Sequence, residues 1–194
     1  MSEKKFNGEN VDDTRPAVAE DQRDNPIDPS VTCAATTLSM LIQSHGMKDG
    51  ETRTARHIEN DILADLKARY PNGHKALRED FLFLAEYARK NYGIALKYAK
   101  FNKNDWIAKI LNSATPFMTS TSNGLTAFGH IVLSCGMKTA PDGLMLRFKD
   151  PYGRYPYNDR KASGDGVLYP ASQFPFAGAD GKEKAYHTLS YDET

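Results

Sequence analysis

Cysteine is scarce: Cys33 and Cys135 are the only two in 194 residues. Two thiols are too few for the disulfide framework of a small exported domain. A zinc site wants four ligands, usually in close pairs. His130 precedes Cys135 by five residues, but no second pair accompanies them, and His45, His57 and His74 sit in polar segments. A surplus of one charge is missing too. Lys plus Arg and Asp plus Glu both number 25, so the chain lacks the basic footprint of a nucleic-acid binder. No apolar run approaches the ~20 residues that cross a bilayer. The N-terminal "MSEKKFNGENVDDTRPAVAEDQRDN" lacks the apolar stretch of a signal peptide. A cytoplasmic protein without membrane insertion or nucleic-acid partner is expected.

What is present fits one domain. Residues 1–20 are polar, charged and aperiodic, and read as a flexible arm; residues 21–194 are long enough to bury a single core. Pro26 and Pro29 keep the chain extended. From Cys33 the composition turns to Ala34, Ala35, Leu38, Met40, Leu41 and Ile42, with a stop offered at His45-Gly46. That is an apolar helix with a cysteine in its first turn.

Helical spacing recurs through Ile58, Ile62, Leu63, Leu66 and Tyr70, ending at Pro71-Asn72-Gly73. A third helix runs through Leu77, Phe81, Leu84, Ala85 and Ala88 to Gly93, and a fourth opens near Asn104 or Asp105 and buries Trp106, Ile107, Ile110 and Leu111. "IALKYAKF" alternates like a strand. After residue 115, "PFMTSTS", "HIVLSCGMK", "LMLRFKD", "GVLYP" and "AYHTLSYD" are strand-like runs separated by Gly, Pro, Asn and Asp. Helices first and strands second predict an α+β domain, with N-terminal helices packed on one side of a C-terminal antiparallel sheet.

Cys33 has four readings: core filler, metal ligand, half of a disulfide, or nucleophile. A helix N-terminus favours a thiolate, and a nearby imidazole favours it more. His130 follows Gly129 at the first residue of an apolar strand, a rigid mount; His187 is strand-like but lies near the C-terminus without a special neighbour. The next strand ends at Asp150, before the turn Pro151-Tyr152-Gly153. A hairpin through Pro141-Asp142-Gly143 would bring His130 and Asp150 to cross-strand distance, about 5 Å between directly opposed side chains. Each residue alone has an ordinary reading, as a small buried hydrophobe, a structural imidazole and a turn cap. In this order they point to one site.

At these residues the chain resembles a family. "TCAATTLSML", "GHIVLSCGM" and "DPYGRYPY", with the trailing "GVLYPASQF", look like the C39-like branch of the papain-like cysteine peptidases. The resemblance implies a papain-like fold with Cys33 as nucleophile, His130 as general base and acid, and Asp150 orienting His130. It also implies an oxyanion-hole glutamine upstream, for which Gln22 is the candidate. Gln22 precedes Cys33 by eleven residues, more than the family's usual interval, and Asn25 is the alternative. No cofactor or metal is implied. The chain carries no transporter portion of the kind fused to bacteriocin leader peptidases. The expected activity is therefore a stand-alone amide hydrolase, a phage-type endolysin acting as a monomer on peptide or peptidoglycan and released by lysis or through a holin. An acyltransferase or deamidase with the same triad, or an inactive interaction protein, is the alternative. "DPYGRYPYNDR" is expected either to line the cleft or to pack as a tyrosine-rich turn on the sheet.

Overall fold

Every side chain from Thr32 to Ser44 is buried, which makes the Cys33 helix the centre of the molecule. The computed structural model describes residues 12–26, 30–49, 54–69, 71, 80–127, 129–159, 161–178 and 180–191. Helix α1 spans Cys33–Asp49. It runs past the stop expected at His45-Gly46, because Gly46 is buried and packing outweighs its low propensity. Helix α2, Ala55–Arg69, turns Ile58, Ile62, Leu63 and Leu66 inward. Helix α3, Phe81–Tyr92, opens on Asp80, whose carboxylate accepts from the Phe83 N–H, and closes on Gly93 in the left-handed conformation. Pro29, Tyr70, Asn72, Gly73, His74 and Leu77 lie outside the described residues. Helix α4, Lys103–Asn112, is capped by Asn102, which accepts from the Asp105 N–H and starts the helix slightly earlier than expected.

The strands are β1 (Asp12–Thr14), β2 (Leu96–Phe101), β3 (Phe117–Ser120), β4 (Ile131–Ala140), β5 (Gly143–Lys149), β6 (Val167–Pro170) and β7 (Tyr186–Tyr191). They form an antiparallel sheet in the order β2-β7-β3-β4-β5-β6. Strand β1 adds to the outer half of β4, with Thr14 opposite Gly136. The protein is thus α+β, as its sequence pattern predicts.

Two expectations are corrected. Residues 12–20 do not hang free. The Asp12–Thr14 backbone completes hydrogen bonds that β3 is too short to make with β4. The next residue, Arg15, is buried, with its backbone N–H on Cys135 O at 2.7 Å. Residues 1–11 lie outside the described residues. Nor do the helices share one side. Helices α1, α2 and α3 cover the face carrying Met118, Ile131, Leu133 and Leu189. Helix α4 covers the opposite face, where Trp106 and Ile110 join Phe117, Phe148, Phe174 and Tyr186. Strand residues alternate between faces, and both parities of β3, Phe117 and Met118, are apolar and buried. Both faces therefore need a cover.

Candidate active site

Helix α1 begins with the Thr36 N–H donating to Thr32 O at 3.0 Å, which places Cys33 in the first turn, where unpaired amides favour negative charge. One turn further, the Thr37 hydroxyl donates to Ile131 O at 3.1 Å. That bond pins the Cys33 helix to the residue following His130.

Gly129, with φ of +81°, turns the chain into β4, and a Cβ there would press to 3.3 Å from Ser122 O. His130 follows. Its Nε2 lies 2.7 Å from Asp150 Oδ1. A carboxylate oxygen accepts, so Nε2 carries a hydrogen, and the ring also hydrogen-bonds with the Cys33 side chain. Cys33 and His130 are 6% exposed and Asp150 3%. Burial alone pulls the His130 pKa down; the charge and hydrogen bond of Asp150, then Cys33, outweigh it and push it up to about 10. A pKa raised that far favours the imidazolium at neutral pH, with the Asp150 carboxylate on one side and the Cys33 sulfur on the other.

The hairpin geometry differs from a simple pairing. Strand β4 bulges between Ser134 and Gly136, after which Ser134 faces Phe148 and Leu133 faces Lys149. His130 therefore reaches Asp150 diagonally along the same face, a separation within reach of an imidazole.

Asp150 is held on every side. Oδ1 also accepts from the Tyr152 N–H at 2.9 Å, while Oδ2 accepts from the Tyr157 hydroxyl at 2.8 Å and the Tyr169 hydroxyl at 2.9 Å. Its backbone N–H donates to Gly164 O at 2.9 Å, and a Cβ on Gly164 would lie 1.8 Å from Asp150 O. The rings of Tyr152 and Tyr157 meet His130 edge-on. Sequence reasoning missed these tyrosines as partners of Asp150. The density of Tyr in "DPYGRYPY" and "GVLYP" was the signal, but nothing local says where a phenol will end.

A cleft of about 440 Å³ opens over Cys33 and His130, with Phe81, Ser120, Ser122 and His187 among its walls. His187 is thus closer to the site than expected. Its Nδ1 is bonded to the Tyr98 hydroxyl at 2.7 Å. Gln22 is buried in the turn Gln22–Asp24, its backbone N–H on Pro151 O at 2.9 Å, beside the Asp150 end of the site and not among the cleft walls. Asn25 is committed elsewhere: its amide donates to Thr32 at 2.7 Å and to Glu59 at 2.9 Å. Cys135, wholly buried, is pushed up to about 11 by burial. No group of three or more His, Cys, Asp or Glu among the described residues can hold a metal ion.

Residues 16–167 match the family model described as Peptidase_C39 like family. The chain belongs to the C39-like peptidases. No curated protein matches it. Membership places the chain in a cysteine peptidase family, and the matched span contains Cys33, His130 and Asp150. No helix among the described residues is long and apolar enough to cross a membrane.

Proposed function

We propose that this C39-like peptidase hydrolyses amide bonds with Cys33 as nucleophile, His130 as general base and acid, and Asp150 as the group that orients and charges His130. One observation carries the reading: a buried imidazole bonded through Nε2 to a carboxylate at 2.7 Å and also hydrogen-bonded with the side chain of the helix-start Cys33. The Cys33 sulfur attacks the amide carbon, forming a C–S bond and placing charge on the carbonyl oxygen. The Cys33 N–H receives that charge; a donor of this kind contributes about 3–4 kcal/mol. Asn25 is unsuited, since Thr32 and Glu59 take its amide hydrogens. As the C–N bond breaks, His130 gives its proton to the leaving nitrogen. It then takes a proton from water, whose oxygen displaces the sulfur and releases the acid.

The substrate proposed is a peptide of peptidoglycan, the type of bond cut by phage-type endolysins. Phe81 beside Ser120 and Ser122 offers a cleft suited to short peptides of small and polar residues. The test is incubation with purified peptidoglycan and mass analysis of the released fragments. Wild type should release new amino and carboxyl termini, and Cys33→Ala none. Equal release by both proteins removes Cys33 from the chemistry; release of glycan fragments, or of ammonia alone, replaces the proposed bond with another.

A further inference from the structure

The carboxylate of Asp150 receives four hydrogen bonds, and two come from phenols on separate segments, Tyr157 in the turn after β5 and Tyr169 in β6. The hydrogen of Tyr169 can be assigned. The Tyr155 N–H donates to the Tyr169 oxygen at 2.9 Å, and an amide only donates, so the phenol hydrogen is left for Asp150. Tyr157 reaches Asp150 from a backbone with φ of +63°, a conformation a bulky residue rarely adopts. Strain of this kind persists where the surrounding structure holds it, and it clusters at functional sites. The Tyr157 ring also meets the rings of His130, Tyr152 and Tyr155 edge-on.

Building on the catalytic reading of Cys33, His130 and Asp150, we propose that Tyr157 and Tyr169 are positioning residues. Their paired hydroxyls clamp Oδ2 of Asp150 so that Oδ1 stays aimed at His130. A carboxylate bonded only on its Oδ1 side can turn about its terminal torsion, which is broad. Two donors on Oδ2 remove that freedom without touching substrate. Burial, then the charge of Asp150, pushes both phenols above their ordinary range, so both keep their hydrogens at any working pH.

The clamp is tested with Tyr157→Phe, Tyr169→Phe and the double variant, which keep the rings and remove only the hydroxyls. Tyr155→Phe is the control, since its ring touches Tyr157 but its hydroxyl is not among the Asp150 donors. Each single change should lower kcat about tenfold and the pair about a hundredfold, the scale of loss when a catalytic group is slightly misplaced. KM should stay unchanged. The second measurement is the NMR resonance of the His130 Nε2 proton in the free protein, which should broaden by exchange in the variants and not in the control. Should Tyr157→Phe fail to fold, Tyr169→Phe decides. An unchanged kcat, or an unchanged Nε2 resonance in a folded variant, overturns the clamp. The resonance needs no substrate, so it judges the clamp even where Cys33→Ala has refuted the hydrolase reading.

Discussion

Thr37 donates its hydroxyl hydrogen to the carbonyl oxygen of Ile131 at 3.1 Å, across 94 residues of sequence. Thr37 lies one turn beyond Cys33 on the same helix face, and Ile131 directly follows His130. One bond therefore couples the two backbones whose separation sets the approach of thiol to imidazole. Thr37→Val keeps the shape and leaves the Ile131 carbonyl without this donor. A buried hydrogen bond is worth about 1 kcal/mol, and an acceptor left unsatisfied about 1–3 kcal/mol. The variant should melt lower by that amount and lose kcat beyond what its stability explains. A Thr37→Val enzyme with wild-type kcat would show that the bond serves stability alone.

Cys33 should react before Cys135. The first lines the cleft beside an imidazolium, whereas the second is fully buried with its thiol pushed up to about 11. Brief iodoacetamide treatment followed by peptide mapping should find the label at Cys33 and activity lost in proportion. Cys33→Ala should keep its fold. Leu133→Ala should cost about 2–5 kcal/mol through lost burial and the cavity left under α1. Label at Cys135, or an unfolded Cys33→Ala beside an unaffected Leu133→Ala, contradicts the assignment.

The triad should rank in a defined order. His130→Ala removes the proton carrier and should abolish activity and the thiolate absorbance near neutral pH. Asp150→Ala should come next, since it also strands the hydroxyls of Tyr157 and the buried Tyr169. Asp150→Asn should be mildest: its oxygen can face His130, and its NH₂ can donate to Tyr157, whose hydroxyl rotates to accept. Rates and absorbance measured across pH on the three variants check the order. An active His130→Ala, or an inactive His187→Ala with normal thiolate absorbance, would move the base elsewhere.

The pairing also has a signature in stability. His130 is raised from the ordinary 6.5 to about 10, chiefly because Asp150 and then Cys33 outweigh burial. The fold binds this proton more tightly than the unfolded chain does. Its stabilisation is therefore fully present below pH 6.5 and is lost as pH rises through about 10. Melting curves of Cys33→Ala minus those of Cys33→Ala/His130→Gln, both without the coupled thiol, should fall as pH rises above 6.5, while Cys135, present in both, cancels. A flat difference would mean that the imidazolium is not the folded form.

Much of the local structure was legible because it depends on neighbours in sequence. The 3.6-residue spacing of Ile58, Ile62 and Leu66, the Asp80 cap and the Gly93 stop all act within a turn or two of chain. The thiol in the first turn of an apolar helix, and the glycine before a strand-leading histidine, were readable on the same ground. Contacts between distant segments were not. Nothing near Cys135 announces the bulge that re-phases β4 against β5, although a one-residue slip decides which face every side chain occupies. The arm residues Asp12–Thr14 look unstructured until the open edge of β4 supplies their partners. Helix α4 reads like the others until both faces of β3 prove apolar and demand a second cover. The four donors on Asp150 come from four places in the chain, His130, Tyr152, Tyr157 and Tyr169. Periodicity and capping are local energies written in adjacent residues; the convergence of those donors is a product of chain closure, which only the packed tertiary structure decides.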